Sequence, residues 1–384
     1  MNSTVYCDHA ATAFPKAPGV KEAMASCIGS VGGNAGRGSY AGALKADEAV
    51  FGVREKLARL FSAPDASCVL FTPGQTFSLN AVLFGFLRPG DHVIVSPLEH
   101  NAVMRPLNAL SARGVGYSVL PWSASSGVDA AALDALLRPD TKLVLATHAS
   151  NVSGEILPVE EIGKVCAAHG IPLCLDAAQT AGHVPLGFSL PALSALCVPG
   201  HKGLLGPEGV GALLLTPEFA KRLDPFVFGG TGSRSESFEQ PLHLPDRFES
   251  GTLNLPGILG LGAAVDFIAD TGVKTLRKTE QSLTARFLLG VTGLPGVHVT
   301  GPASPQSRVG VVSLDFERMD NALAADALAE EYNIAVRCGL HCAPMAHRTF
   351  GTFPRGTVRF SFGYGNTEKE IDRAIAAVQQ ISKR

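Results

Sequence analysis

A series of short apolar runs, most closed by a polar tail, constrains this chain more than any other feature. SCVLFT (67–72), DHVIVSP (91–97), VGYSVLPW, KLVLATHAS (142–150), IPLCLDAAQ (171–179) and ALCVPG (195–200) are the runs. None alternates apolar with polar residues, as a half-exposed strand would; strands buried on both faces read this way. Helical patterns lie between many of them: SLNAVLFGFL, NAVMRPLNALSARG up to Gly114, VDAAALDALL, and VEEIGKVCAAHG up to Gly170. Strand and helix in alternation predict βαβ units and a mostly parallel sheet over the chain up to about residue 255. Beyond it, a long helix (257–290), VVSLDF, ALAADALAEEYN, VRFSFG and a last helix from Thr367 predict a smaller α+β domain.

In open α/β sheets ligands bind beyond the carboxyl ends of the strands, so the polar tails belong together. They are Thr72-Pro73-Gly74-Gln75-Thr76, Glu99-His100-Asn101, His148-Ala149-Ser150-Asn151, Asp176-Ala177-Ala178-Gln179 and Gly200-His201-Lys202-Gly203. Five such tails describe one pocket. Gly74-Gln75-Thr76 opens a helix and offers backbone N–H groups to an anion such as phosphate, or is an ordinary helix start. Asp176 ends an apolar strand and needs a partner: a protonated ring nitrogen, a helix N-terminus or a salt bridge. Lys202, between apolar segments, is either a solvated lysine or a desolvated one able to form a Schiff base. An anion cradle, a buried Asp and a buried Lys suit pyridoxal phosphate.

Composition narrows the classes. Lys and Arg number 32 against 34 Asp and Glu, a net charge of −2, which argues against a nucleic-acid footprint and a polybasic membrane anchor. Charged residues are 17% and hydrophobic residues 46%, the reverse of a disordered chain. No run approaches a transmembrane span, and MNSTVYCDHAATAF lacks a signal-peptide pattern, so a cytoplasmic protein is expected. The 8 Cys stand largely in apolar runs and do not form a disulfide framework. The spacing of Cys338, His341, Cys342 and His347 matches no common zinc pattern, and no metal is expected.

Longer motifs run through the chain: YCDHAATAFP (6–15), GNAGRGSYAGALKADEAVFGVREKLARLF (33–61), EHNAVMRP (99–106), HASNVSGEILPVEEI (148–162), LDAAQTAGHVPL (175–186), GHKGLLGPEGVG (200–211), RFESGTLNLPGI (247–258), VRCGLHCAP (336–344) and VRFSFGYGNTEKEID (358–372). In order and spacing they resemble the cysteine desulfurase / selenocysteine lyase family, pyridoxal-phosphate enzymes of the class V aminotransferase fold. The resemblance implies fold type I, with a large α/β domain (14–256) whose mostly parallel mixed sheet is flanked by helices. A small α+β domain (1–13 and 257–384) would carry the catalytic cysteine loop. It implies Lys202 as the Schiff-base lysine, Asp176 at the pyridine nitrogen, Gln179 at the ring hydroxyl and His100 stacked on the ring with a part in proton transfer. Gln75, Thr76 and His201 would bind the phosphate, with Thr252 reaching in from a second subunit of a homodimer. Asn151 and Arg359 would hold the substrate carboxylate, and Cys342 would be the nucleophile.

The implied reaction converts L-cysteine to L-alanine, leaving a persulfide on Cys342 for an acceptor protein or thiol. L-Selenocysteine is the alternative substrate. A β-eliminating lyase, epimerase or aminotransferase on the same fold would not need Cys342, and a non-catalytic scaffold would need none of these residues. Three positions depart from the family pattern: Pro199 stands where many relatives have a phosphate-touching Ser, His9 where Asn is usual, and Tyr40 near a common His.

Overall fold

The structure is a computed structural model that describes residues 4–31, 33–36 and 38–384. The first three residues of the expected 1–13 segment, and Arg37 of the 33–61 motif, lie outside the described residues. A seven-stranded sheet is built from β1 (Val69–Thr72), β2 (His92–Val95), β3 (Gly116–Val119), β4 (Thr141–Thr147), β5 (Leu173–Asp176), β6 (Leu193–Pro199) and β7 (Gly211–Leu215), in the order β1-β7-β6-β5-β4-β2-β3. The ladders β3-β2-β4-β5-β6 are parallel. Strand β7, which the sequence reading did not single out, runs antiparallel between β6 and β1. All of its positions are buried, and GALLL carries no signal of direction. Because β7 opposes both neighbours, β1 points the same way as β6, and the polar tails of β1, β2, β4, β5 and β6 meet at one edge.

One hydrophobic layer lies on each face of this sheet. Leu70, Val93, Leu143, Cys174 and Cys197 point to one, and Phe71, Ile94, Val144, Leu175 and Val198 to the other. Such two-sided burial is why the inner runs show no alternation; the edge strand β3 departs from that expectation, with none of its positions fully buried and Tyr117 exposed. His92 sits in this interior with both ring nitrogens satisfied, by Thr141 and Ser118.

A second sheet joins β8 (Val297–Thr300), β9 (Val311–Phe316), β10 (Arg337–Gly339) and β11 (Thr357–Ser361), antiparallel in the order β8-β9-β11-β10. Val5–Tyr6 pairs in parallel with Ile334–Ala335, so the chain's first strand sits on this C-terminal unit.

Two helical expectations are corrected. The long helix over 257–290 is two helices, Leu255–Thr271 and Val273–Val291, whose axes bend by 82°. The hinge is Gly272, whose φ of +86° a side chain rarely adopts. Ile258, Leu261, Val265 and Ile268 pack in the large core, and Leu283, Phe287 and Val291 in the small one. Leu276 still packs in the large core, so the hydrophobic clusters change over within the second helix, between Leu276 and Leu283. VDAAALDALL forms only the turn Leu133–Leu136. No single described helix is long and apolar enough to cross a membrane.

Candidate active site

The edge where the strands end opens into a cavity of about 520 Å³. Gln75, Thr76, His100, Asn151, Asp176, Gln179, His201 and Lys202 line it, so eight of the predicted residues from five separate strand ends share one wall. Arg359, Cys342 and Thr252 do not line it.

The floor is fixed by hydrogen bonds from regular elements. Asp176, the last residue of β5, is 2% exposed. It accepts from Ala178 N at 2.9 Å and from Gln75 Nε2 at 2.7 Å. Burial nonetheless raises its pKa, so a cationic partner in the cavity would find a carboxylate short of positive charge. Gln75 also donates to the Cys197 carbonyl at 3.0 Å, and its Oε1 is buried without a partner. Its side chain therefore positions Asp176, and the groups left for an anion at this helix start are the first-turn N–H groups and Thr76. Gly74 there has φ +151° and no side chain caps the helix, so the N–H groups of its first turn face the cavity edge.

Lys202 follows β6 in a tight turn. Burial pulls its pKa down to about 8, with Arg359 and Arg337 pushing the same way and Asp176 opposing. About a tenth is then neutral at pH 7, against a negligible fraction for a solvated lysine. His201 is held by Thr12 at 3.1 Å through Nδ1. Burial, with Lys202 and Lys16 nearby, lowers its pKa to about 4. Gln179 donates to the Ala10 carbonyl at 3.1 Å, which fixes the amide against the cavity wall.

His100 caps the helix Asn101–Ser111: its Nδ1 accepts from Ala102 N at 3.0 Å. The neutral ring must then carry its proton on Nε2. Burial and the charge of Lys202 lower its pKa to about 4 and keep it neutral. Glu99, fully buried beside it, accepts from Thr147 N at 2.7 Å and from the Ser96 hydroxyl, and so ties the tail of β2 to the end of β4. Burial raises its pKa to about 8.

The two residues expected at the substrate carboxylate, Asn151 and Arg359, are joined by a hydrogen bond. Asn151 lines the cavity, but its Nδ2 donates to the His341 carbonyl at 2.7 Å. Arg359, 3% exposed, stands behind it and donates to the Asn151 carbonyl at 3.2 Å and to Asp8 at 3.0 Å. Its Nε is buried without a partner. Asp8 also pairs with Arg337 at 2.9 Å. Asp8 was not singled out from sequence, although it stands in the opening motif; its partners lie more than 300 residues away, beyond any local pattern. Thr252 is exposed on the surface, outside the cavity of its own chain.

Cys342 is exposed, on a loop rather than a strand end. It and His341 have φ +57° and +49°, a conformation that costs L-residues about 1–3 kcal/mol each. The loop holds it by docking onto the large domain. Asn101 N donates to the Cys342 carbonyl at 2.7 Å, Asn151 to that of His341, and Ala343 and Ala346 are buried in the large core. His341 is no base for Cys342: its Nε2 bonds Thr357 at 3.1 Å, and burial with Arg359 nearby lowers its pKa to about 2. Arg337 is likewise committed, to Asp8. All eight cysteines are free, and no cluster of metal-ligating side chains occurs among the described residues.

A buried carboxylate, a lysine of lowered pKa and an uncapped helix start in one cavity match the three demands of pyridoxal phosphate: its ring nitrogen, its aldehyde and its phosphate. Fold and cavity thus define a pyridoxal-phosphate enzyme of fold type I. The comparisons agree. Residues 5–374 match the aminotransferase class-V family model. A probable cysteine desulfurase of Methanothermobacter thermautotrophicus is 33% identical, covering all of this chain and 96% of that protein. The apo cysteine desulfurase of Thermococcus onnurineus superposes with a TM-score of 0.92 at 29% identity, over 99% of this chain and 95% of that one. A lysine-to-alanine mutant of the protein C-DES, with glycine covalently linked to its PLP cofactor, superposes with a TM-score of 0.84 at 25% identity over 98% and 96%. The chain belongs to the class V aminotransferase family, in its cysteine desulfurase branch.

Proposed function

We propose that this chain is a cysteine desulfurase: it converts L-cysteine to L-alanine and receives the substrate sulfur as a persulfide on Cys342. One observation supports the reading above the others. The cavity holding Lys202 and Asp176 shares His100, Thr76 and Ala102 with a surface groove, and Cys342 stands in that groove. A reaction needing only the cofactor would leave Cys342 without a purpose at that place.

When bound, pyridoxal phosphate supplies an electrophilic carbon for an amine and a ring that accepts the electron pair released at the substrate Cα. Asp176 would hold the ring nitrogen, and the N–H groups after Gly74, with Thr76 and His201, the phosphate. Gln179 would face the ring hydroxyl. Lys202 would hold the cofactor's aldehyde carbon and, partly neutral near pH 7, can take the Cα proton on Nζ. His100 presents a neutral ring with its proton on Nε2, suited to stacking and to donating a hydrogen bond. The Nε–H of Arg359 is unpartnered, so a substrate carboxylate reaching it would meet a guanidinium already aimed by Asp8 and the Asn151 carbonyl. The Cys342 thiolate then attacks the substrate sulfur, and the C–S electron pair returns to the substrate carbon, which takes up a proton to give alanine. Thr252, exposed on its own chain, would serve the cavity of a second copy in a homodimer.

The test is to incubate the cofactor-loaded protein with L-cysteine and a reducing thiol and to quantify alanine and sulfide together. Equal yields that vanish in Cys342→Ala are expected. Pyruvate and ammonia in place of alanine, unaffected by that substitution, would overturn the reading in favour of β-elimination.

A further inference from the structure

The groove that holds Cys342 has a lining that neither the cofactor nor L-cysteine requires. It measures about 370 Å³ and runs between two helices. Thr76, Asn80 and Phe84 face it from the helix Gln75–Phe86, at four-residue spacing. Ala102, Arg105, Pro106 and Ala109 face it from the helix Asn101–Ser111. The i, i+4 repeats put each set on one face of its helix.

Arg105 is the charged side chain in this lining, and no acidic residue accompanies it. It is exposed and has no carboxylate partner among the described residues. The other arginines near Cys342 differ: Arg337 and Arg359 both pair with Asp8. Position matters as much as charge. Asn101, whose N–H grips the Cys342 carbonyl, is one helical turn before Arg105. One turn is a rise of about 5.4 Å, within reach of a guanidinium at the end of its stem. Phe84, Pro106 and Ala109 give the far end of the groove an apolar wall.

We infer that this groove is the site at which a small acceptor thiol carrying a carboxylate meets the Cys342 persulfide, with Arg105 binding the carboxylate. The inference rests on the proposed persulfide chemistry. In the step, the acceptor thiolate attacks the outer sulfur of the persulfide. A new S–S bond forms on the acceptor, the Cys342 S–S bond breaks, and its electron pair leaves on Cys342 Sγ as thiolate. No other oxidant or reductant is needed. Attacking and leaving groups are both anionic, so an unspent cation in the groove lowers the cost of bringing them together.

The test starts from holoenzyme loaded with one equivalent of L-cysteine and freed of product. Persulfide loss is followed by intact-protein mass with 3-mercaptopropionate (anionic), 2-mercaptoethanol (neutral) and cysteamine (cationic). Each rate is normalised to thiolate concentration. The readout is the anionic-to-neutral rate ratio, in which any change common to all thiols cancels. Arg105→Gln is expected to lower this ratio about threefold and to raise the cationic-to-neutral ratio, while Arg105→Lys keeps the wild-type values. The wild-type preference should fade in 1 M salt, where the Debye length falls to about 3 Å. An unchanged ratio in Arg105→Gln overturns the inference.

Failure of the persulfide reading would show separately, as no protein-bound sulfur after L-cysteine. The charge preference is then read on the Cys342 thiol itself, as modification by a dianionic against a neutral aromatic disulfide, with Cys342→Ala as background. The same loss of anion preference in Arg105→Gln supports the anion site, and its absence overturns it.

Discussion

The two halves of the reacting site are built in opposite ways. The cavity floor stands on regular elements: Asp176 ends a strand, Gln75 begins a helix, and buried hydrogen bonds join them. The Cys342 loop has two consecutive left-handed residues and an exposed sulfur. Its position is borrowed from the large domain, through Asn101, Asn151 and the packing of Ala343 and Ala346. A group that must be desolvated and aimed, such as Lys202, needs a rigid, dry surround. A nucleophile that must first face substrate and then an outside acceptor needs access. The floor gains preorganisation at the cost of access, and the loop makes the reverse exchange.

If the halves are separable, their variants should fail differently. Lys202→Ala should abolish turnover, by about 10⁴-fold, and remove the borohydride-trappable link between protein and cofactor. A trapped link that survives would show the floor to be wrongly assigned. Cys342→Ala should reduce sulfur transfer to an acceptor by about 10³-fold while cofactor absorbance and affinity stay at wild-type values. A joint loss of cofactor would show that the loop props up the floor.

The support beneath the floor offers a third test. Arg54 and Glu249 form an ion pair with both side chains buried. Glu249 also accepts from Phe71 N at 2.6 Å, and Arg54 donates to the Val69 carbonyl. The pair thus clamps β1, the strand that leads into Gly74 and Gln75. Arg54→Met should lower the unfolding free energy by about 3–5 kcal/mol in urea titration, since it strands a buried carboxylate. Adding Glu249→Met should recover part of the loss. A cost under about 1 kcal/mol would mean that water already reaches the pair.

The smallest effect expected is a shift along the pH axis. Only neutral Lys202 can attack the cofactor aldehyde, and its ammonium form prevails below a pKa of about 8. The rate of cofactor uptake by apoprotein should therefore rise with pH and level off above about pH 8. Asp176 supports the ammonium, so Asp176→Asn should move the midpoint to lower pH. Stopped-flow absorbance measures both. A midpoint near that of a solvated lysine would contradict the dry floor. His100, held neutral with its pKa near 4, should add no inflection at neutral pH.

The α/β class, the edge where the strands end, and the group Gln75, His100, Asp176, Gln179 and Lys202 were legible in the residues. Two-sided burial leaves unbroken apolar runs, and a parallel sheet must gather the tails of its strands at one edge. The antiparallel insertion of β7 was not legible, because a buried strand looks alike in either direction. Nor was the break at Gly272, where one apolar pattern continues across two cores. The Gln75 side chain turned to Asp176, and Asp8 took both Arg337 and Arg359, through hydrogen bonds that join residues 101 and 329 or more positions apart. The sequence by itself determined which chemical groups the chain carries and which strand ends present them, since both follow from local pattern. Only the tertiary structure decided which of those groups are already engaged and which, like Arg105, have no carboxylate partner among the described residues, because partnership depends on folded distance and burial rather than on neighbours along the chain.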